Sequence, residues 1–109
     1  DIRKLINVIE QTIIEFLTLY KIKGVTDKKN IGIWVGNKKI AAIGVRVSRW
    51  IAYHGCSINI SNNLNNYKKI IPCGLSNNKI TSIKNEGVTN IKNVNKNLKI
   101  IFYKNLNTI

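Results

Sequence analysis

Apolar residues recur at helical spacing over the first part of the chain. The apolar positions are Ile2, Leu5, Ile6, Ile9, Ile13, Phe16, Leu17 and Tyr20. Charged side chains such as Arg3, Glu10 and Glu15 lie on the other faces, which is typical of an amphipathic helix. We therefore predict one helix of about five turns, at 3.6 residues each, that ends before Gly24 and buries one face.

The hydrophobic period then shortens to two, which indicates β-strands. Alternating apolar residues over 31–35, a Gly-Asn turn at 36–37 and a second apolar run over 39–47 predict a β-hairpin. A third strand is expected at about 53–60. Together these strands predict a hairpin-rich sheet on which the helix can pack.

The second predicted strand contains a change of phase. Ile43, Val45 and Val47 share one face of a regular strand, whereas Ile40 and Ala42 fall on the other. We therefore expect either a β-bulge or a strand that is buried on both faces.

The C-terminal half of the chain predicts shorter elements. We expect a short helical segment at about 64–69, a loop that carries Cys73 and a short strand at 80–83. Thr89 is the predicted cap of a final helix. The apolar stripe of that helix would consist of Ile91, Val94, Leu98, Ile101 and Phe102. The predicted fold class is α+β, a mixed or antiparallel sheet with packed helices, in a single partial domain over residues 1–109.

Length and composition agree with one small ordered domain. A chain of 109 residues with 44% hydrophobic residues can bury a single core of modest size. The longest apolar runs are five or six residues, so we expect no membrane association. The sequence has no Met at position 1 and opens inside the helical pattern, so we expect a fragment of a longer protein.

The chain is strongly basic, with a formal net charge of +13. A basic patch can bind a nucleic-acid backbone by releasing counterions, so a basic RNA-binding module is one alternative function. However, 15 of the 18 basic residues are Lys, and Asn and Ile are also frequent, as an AT-rich coding sequence produces. We expect no nucleic-acid partner and assign the charge to steering toward acidic proteins, which salt would screen.

The cysteine content indicates the compartment. Two cysteines, Cys56 and Cys73, are too few for a disulfide scaffold and fit a reducing cytoplasm. With a single histidine, His54, they also fall short of the four clustered ligands of a structural zinc site. We therefore expect a cytoplasmic protein without a metal.

A cysteine between Pro72 and Gly74 and a lysine that opens an apolar strand could form a nucleophile–base pair. A lysine ammonium about 4 Å from the Cys73 thiol could lower its pKa from about 8.5 to about 7, which needs about 2 kcal/mol. The alternatives are a buried structural cysteine and a solvated Lys39. Because such a pair titrates as a unit, either member can hold the proton at rest.

Three ordered blocks carry a more specific signal. They read Lys-Ile-Ala-Ala-Ile-Gly-Val-Arg over 39–46, Arg-Trp-Ile-Ala-Tyr-His-Gly over 49–55 and Pro-Cys-Gly over 72–74. In their order and in their residues these blocks resemble the octanoyltransferases of lipoate biosynthesis, the lipoyl(octanoyl) transferases. The resemblance implies the fold of the biotin and lipoate protein ligases. The family's N-terminal Arg-Gly-Gly-type and Thr-His-Pro-Gly-type blocks do not occur in the sequence, so the resemblance covers about the C-terminal half of a member.

The resemblance implies roles for particular residues. Cys73 stands where the family keeps its acyl-accepting cysteine, and Lys39 stands where it keeps the partner lysine. The segments that line the acyl-chain site correspond to Ala42, Ile43 and Gly44, and to Gly55, Cys56 and Ser57. His54, in a Tyr-His-Gly block, is a further candidate for that site. Small residues leave room for an octanoyl chain, although ordinary close packing of strands is the alternative for each segment.

By resemblance, the full protein moves an octanoyl group from acyl carrier protein to a lysine on the lipoyl domain of a dehydrogenase complex or on the glycine-cleavage carrier protein. No metal or nucleotide cofactor is implied, because the incoming thioester is already activated. We expect a monomer. The alternatives are an ATP-dependent lipoate- or biotin-protein ligase relative, a basic nucleic-acid-binding module and an inactive truncated remnant.

Overall fold

The structure, a computed structural model, describes residues 2–48, 51–60 and 80–108, with the backbone alone described for 45–48 and 51–55. These ranges contain five elements, in the order α1 (Ile2–Thr18), β1 (Ile33–Val35), β2 (Lys38–Ser48), β3 (Ile51–Ile58) and α2 (Val94–Leu106). The strands form one antiparallel sheet in the order β1-β2-β3. The predicted α+β class is therefore confirmed. The helix predicted at 64–69 and the loop with Cys73 lie outside the described residues.

Helix α1 forms where the helical period of apolar residues predicts it. Its buried face consists of Val8, Ile9, Thr12, Ile13, Phe16 and Leu17. The helix ends before the first glycine, because Lys21 adopts a left-handed conformation (φ 60°) and the Ile22 N–H donates to the Leu17 carbonyl. Such a hydrogen bond satisfies one of the last carbonyl groups of the helix as the chain turns away.

Gly24 lies where the returning chain passes between α1 and the sheet. A Cβ atom at this position would be 2.8 Å from both Ile33 Cγ2 and Leu17 Cδ1. Both of those side chains have 0% exposure, so neither has free space into which it could move. The glycine that the sequence pattern marks as a helix stop is therefore needed for close packing.

The hydrophobic core lies between α1 and one face of the sheet. It joins the buried face of α1 to residues of the loops and strands, namely Ile22, Ile33, Ile40, Ala41, Ile43 and Ile83. Leu98, Ile101 and Phe102 of α2 are half-buried and pack against this core. Full burial of a large apolar side chain contributes about 1.5–3 kcal/mol, so this layer is the main source of stability.

Of the two alternatives expected for the change of phase in β2, the structure has the β-bulge, which lies opposite β1. Ile33 pairs with Ala41 and Trp34 pairs with Lys39, so β2 has one more residue than β1 between the two pairs. Ile40 and Ala41 are consecutive, yet both are buried in the core. The bulge therefore turns two neighbouring side chains toward the helices and resets the alternation of β2.

Strand β3 runs over Ile51–Ile58 and not over the predicted 53–60. The Asn59 N–H still donates to the Ile40 carbonyl, but the next carbonyl of β2, that of Lys39, accepts from the Thr81 N–H. A single parallel bridge joins Lys39 to Ile80 at this point. Residues that are distant in sequence thus take the place beside β2 that a longer β3 would occupy.

The prediction of a strand at 80–83 is wrong. After the single bridge at Ile80 the chain enters a turn over 83–87, and the Ser82 hydroxyl accepts a hydrogen bond from the Asn85 N–H. Serine hydroxyl groups stabilise turns in this way and compete with strand pairing.

The predicted start of the final helix is also wrong. Helix α2 begins at Val94 and not near Thr89; Asn93 precedes it in a left-handed conformation (φ 56°), without a side-chain capping hydrogen bond. Ile91 therefore lies before the helix, where it is half-buried. Among the described residues, neither this helix nor α1 is long and apolar enough to cross a membrane.

Polar contacts hold α2 against α1. Lys104 Nζ donates to Glu15 Oε2 at 2.7 Å, and Asn105 Nδ2 donates to the Thr12 hydroxyl at 3.3 Å. The hydrogen bond from Lys104 lowers the pKa of Glu15 below its ordinary value. The two helices are thus fixed by one partly exposed ion pair and one buried hydrogen bond.

We predict that Gly24→Ala destabilises the fold. Replacing a glycine lowers the entropy of the unfolded chain, which stabilises by about 0.4–1 kcal/mol, but overpacking a tight core costs about 1–3 kcal/mol. Because the two neighbouring side chains are fully buried, we expect the overpacking cost to exceed the entropy gain in urea denaturation. Gly44→Ala is the matched control, since its Cβ would meet no atom of the described residues within 4 Å, and its stability should change by less than about 0.5 kcal/mol. Equal stability of the two variants would contradict the close packing at Gly24.

We also predict that the contribution of Glu15 to stability disappears in acid. Its folded-state pKa is lowered, so its stabilisation is complete above the unfolded pKa and is lost as the pH falls through the folded pKa. Glu15→Gln should therefore cost about 0.2–1 kcal/mol at pH 7, as exposed ion pairs do, and almost nothing at low pH. Denaturation across pH measures this difference.

Glu10 provides a control of opposite sign for that experiment. Burial raises the pKa of Glu10, so its ionisation destabilises the native state as the pH rises. Glu10→Gln should consequently gain stability relative to the wild type with rising pH. Parallel pH profiles for the two variants would contradict both assignments.

Candidate active site

Two cross-strand pairs of β2 and β3 place small residues opposite each other. Ala42 pairs with Ser57, and Gly44 pairs with Gly55. Ala42 and Ser57 are exposed, and among the described residues no atom lies within 4 Å of a Cβ built at Gly44. Because paired residues share a face and Ile43 between them belongs to the core, these four residues lie on the side of the sheet away from α1. We call this patch the small-residue face.

The other residues predicted for the acyl-chain site lie differently. Ile43, with 9% exposure, is in the core on the helix side of the sheet and pairs with Cys56. The backbone of His54 pairs with that of Val45. The three-residue segments of the sequence prediction are therefore divided, since successive strand residues face opposite sides. Ala42, Gly44 and Ser57 are on the open face, whereas Ile43 is part of the protein interior.

The β-bulge brings Lys39 to the side of the sheet that carries the small-residue face. Ile33 belongs to the core, so Trp34, the next residue of β1, is directed away from the helices. Lys39 pairs with Trp34, and its Nζ lies 6.0 Å from the centroid of the Trp34 ring. Three positions separate Lys39 from Ala42, which in a regular strand would put them on opposite faces. The extra residue in β2 removes this conflict.

The side chain of Lys39 is held closely although it carries a charge. It is half-buried, and its Cε would be only 2.5 Å from a Cβ at Gly32. Within the described residues its Nζ makes no hydrogen bond or ion pair, and Trp34 is its contact through the ring. An amine that is packed along its stem and unpaired at its end is available to exchange a proton with a neighbouring group.

The backbone of Lys39 is anchored by a polar network that the sequence did not indicate. The Thr81 N–H donates to the Lys39 carbonyl at 2.9 Å, and the Thr81 hydroxyl donates to the Glu86 carboxylate. Asn59 Nδ2 donates to the Thr81 carbonyl, and Asn85 Nδ2 donates to the Thr81 hydroxyl. Thr81 has 0% exposure, so these bonds satisfy polar groups that burial would otherwise leave unpaired. The sequence feature that could have indicated this network is Thr81, a hydroxyl residue within the run that was predicted to form a strand.

An apolar cavity of about 280 Å³ lies on the opposite side of the sheet, between the two helices and β3. Its walls are Ile9, Thr12, Ile13, Cys56, Leu98, Lys99, Phe102 and Tyr103. Cys56 lines this cavity and is exposed to solvent, although partial burial of its sulfur raises the pKa of the thiol. A raised pKa keeps the thiol protonated at neutral pH, which makes Cys56 a poor nucleophile.

Cys73, the predicted nucleophile, lies outside the described residues, as do Pro72 and Gly74. Its separation from Lys39 therefore stays a prediction. Over the described ranges, no group of three His, Cys, Asp or Glu residues could hold a metal ion.

The fold matches solved structures over nearly all of the chain. A lipoate-protein ligase A bound with ATP superposes with a TM-score of 0.80 and 13% identity, over 98% of this chain and 47% of that one. A lipoate protein ligase-like protein from T. acidophilum with bound lipoic acid gives a TM-score of 0.72 and 14% identity. The predicted ligase-like fold is therefore confirmed. At these identities the likeness defines a class of fold, the α+β catalytic domain of lipoate-protein ligases.

The sequence comparison defines the family. The lipoyl protein ligase A/B catalytic domain matches residues 1–104. The chain therefore belongs to the lipoyl protein ligase A/B catalytic domain family.

Curated relatives identify the branch of the family that this chain resembles. The octanoyltransferase of Neorickettsia sennetsu is 44% identical over 93 residues, which are 81% of this chain and 44% of the relative. That of Bartonella bacilliformis is 40% identical over 116 residues, covering 94% of this chain and 48% of the relative. The resemblance to octanoyltransferases is confirmed. The chain spans about half the length of the curated relatives it matches.

We predict that Cys56 reacts as a thiol of raised pKa. In a Cys73→Ser variant Cys56 is the remaining cysteine, since the sequence contains two. The rate of alkylation by iodoacetamide, followed by mass spectrometry across pH, should have a higher midpoint in the native protein than in the same variant in denaturant. A native midpoint equal to or below the denatured one would show that the cavity wall does not bury this sulfur.

Proposed function

We propose that the protein transfers an octanoyl group from acyl carrier protein to a lysine of a lipoyl domain, by way of a thioester on Cys73. The observation that carries the proposal is the position of Lys39, packed along its stem, unpaired within the described residues and on the open side of the sheet beside the small-residue face. Identity of 40–44% to octanoyltransferases supports the choice of reaction. Membership of the family, taken by itself, supports transfer of a lipoyl or octanoyl group but does not specify the donor or the cysteine thioester.

The first half of the reaction forms the acyl-enzyme. Lys39 takes the proton of the Cys73 thiol, and the thiolate attacks the carbonyl carbon of the carrier thioester. The new bond joins Cys73 Sγ to the octanoyl carbon, and the bond to the carrier sulfur breaks. The carrier thiolate receives the proton from the Lys39 ammonium, which leaves an octanoyl-cysteine and a neutral amine.

The second half delivers the acyl group. The amine of the acceptor lysine attacks the octanoyl-cysteine carbonyl, and Lys39 accepts the proton that this nitrogen loses as the amide forms. The carbon–sulfur bond breaks, and Cys73 leaves as the thiolate. The pair returns to one proton shared between thiol and amine, so no metal or nucleotide takes part.

The small-residue face suits the acyl chain. Side chains at Ala42 and Ser57 are short, and Gly44 and Gly55 have none, so these four positions leave room for an acyl chain on the sheet surface beside Lys39. Backbone that a ligand must approach closely favours glycine. We assign the octanoyl chain to this face and not to the cavity beside Cys56, because Lys39 is on this side of the sheet.

The main alternative is an ATP-dependent ligase, since solved relatives of the same fold include a lipoate-protein ligase A bound with ATP. That reaction activates a free acid as an adenylate and does not need a cysteine nucleophile. The Pro-Cys-Gly block over 72–74 therefore favours the transferase. Two weaker candidates are a basic nucleic-acid-binding module and an inactive remnant of the enzyme.

Charge and compartment agree with protein substrates. A net charge of +13 would accelerate encounter with acidic carrier proteins at low salt. Two cysteines without a disulfide framework agree with a reducing cytoplasm, which we propose as the location.

Incubation with octanoyl-acyl carrier protein followed by intact mass tests the proposal. We expect one octanoyl adduct on the wild type, none on Cys73→Ser, and formation slowed by about 100-fold or more in Lys39→Ala, as loss of a proton-transfer group typically causes. The measurement is made on the 109-residue chain and on a version extended at its N-terminus to the length of the relatives.

Matched variants locate the chemistry. Lys38→Ala and Cys56→Ser should form the adduct as the wild type does, because adjacent strand residues face opposite sides and the Cys56 thiol lies at the cavity. An adduct only on the extended version shows that the short chain lacks part of the site. Adducts that survive Cys73→Ser, or transfer that requires ATP, would overturn the proposal.

A further inference from the structure

Gly32 and Lys39 approach each other more closely than any side chain at position 32 would allow. A Cβ on Gly32 would lie 2.5 Å from Lys39 Cε and 3.4 Å from Lys39 Nζ. It would also lie 2.7 Å from the carbonyl oxygen of Ala41. Real Cβ atoms do not approach other heavy atoms so closely, so the contact requires glycine.

The backbone at Gly32 also requires glycine. Its φ of 142° belongs to the region that residues with a Cβ rarely adopt. Gly32 is buried, and the Lys39 stem is the cover over it. Trp34, two residues further on, forms the adjacent wall, with its ring centroid 6.0 Å from Lys39 Nζ. The Lys39 amine thus lies near the bare backbone of Gly32 and within 6.0 Å of the Trp34 ring centroid.

We propose that Gly32 is a positioning residue for Lys39: its bare backbone is the surface along which the lysine stem lies, and this fixes where the amine is presented on the open side of the sheet. The catalytic meaning of that placement rests on the proposed function. A lysine has four rotatable bonds and is otherwise free on a surface, so a groove that holds its stem reduces the positions its nitrogen can reach.

The expected effect of Gly32→Ala follows from what can move. The end of the Lys39 side chain is flexible and moves away, whereas the Ala41 carbonyl belongs to the sheet, so the backbone at position 32 must also shift away from it. The stem should therefore leave its groove and expose the amine. Misplacement of a reacting group by about 1 Å can reduce a rate by about 100-fold.

The first test measures the position of Lys39 without any assumption about activity. Each lysine is labelled with an acetylating reagent and quantified by mass spectrometry in the native protein. Labelling of Lys39 should rise in Gly32→Ala, while that of Lys38 is unchanged. Gly36→Ala is the matched control, because Gly36 also has a positive φ (62°), lies in the same hairpin and has no neighbour within 4 Å of a Cβ in the part of the chain that the structure describes. Unchanged Lys39 labelling in Gly32→Ala would overturn the inference.

A wild-type measurement covers the case in which Gly32→Ala does not fold. Native labelling of each lysine is divided by its labelling in denaturant. The Lys39 ratio should be lower than that of the exposed lysines, such as Lys28 and Lys29, because Lys39 is half-buried and its stem is held against Gly32. If Lys39 is labelled as fast as these, its side chain is not held and the inference fails.

The second test measures the consequence for octanoyl transfer. In Gly32→Ala the rate of acyl-enzyme formation (kcat) should fall by about 10–100-fold while KM for the carrier stays constant, and Gly36→Ala should match the wild type. In a Lys39→Ala background, Gly32→Ala should have no further effect, because it acts through the lysine.

The outcomes separate the two proposals. If labelling responds as expected but the wild type forms no octanoyl adduct, the proposed function fails and the positioning of Lys39 stands. If the wild type is active and Gly32→Ala equals Gly36→Ala, the positioning role fails and the function stands. A loss that persists in full in the Lys39→Ala background would show that Gly32 acts through the fold, which also overturns the inference.

Discussion

The β-bulge between β1 and β2 is the constraint on which the candidate site depends. With one extra residue in β2, Ile40 and Ala41 both enter the core, and the alternation restarts beyond them. Lys39 therefore comes to the same side of the sheet as Ala42. Without the bulge, Lys39 and the small residues would lie on opposite faces of the sheet, and one of the two would face the helices. A local irregularity in hydrogen bonding thus brings a candidate proton carrier and a candidate acyl surface to one side, away from the packing that stabilises the fold.

Two glycines perform related tasks on opposite sides of the sheet. Gly24 lets the chain pass between Leu17 and Ile33, where two fully buried side chains leave no space for a methyl group. Gly32 lets the stem of Lys39 lie on bare backbone. The first contact serves the stability of the core and the second serves the geometry of the site. Both glycines are needed for contacts with residues seven to nine positions away in the chain, so neither acts simply as a turn.

The helix side of the sheet carries the stability, and the open side carries the chemistry that we propose. Helix α2 docks on α1 through apolar residues, a partly exposed ion pair and the buried bond from Asn105 to Thr12. Cys56 faces the cavity on this side, where partial burial raises the pKa of its thiol. This division agrees with a family in which one scaffold serves both ligases and transferases, since the open side can vary without disturbing the core.

The sequence by itself determined the helix α1, the order of the three strands, the existence of an irregularity in β2 and the family, because hydrophobic period and short ordered motifs are local properties. It failed where partners distant in the chain decide the outcome. Thr81 displaces the end of β3 by bonding to Lys39, and α2 begins at Val94 where it docks and not where Thr89 could cap it. The division of the predicted acyl-site segments between two faces, and the groove of Gly32 beneath Lys39, were decided only by tertiary structure. Register and close approach are relations between segments, and no single segment contains them.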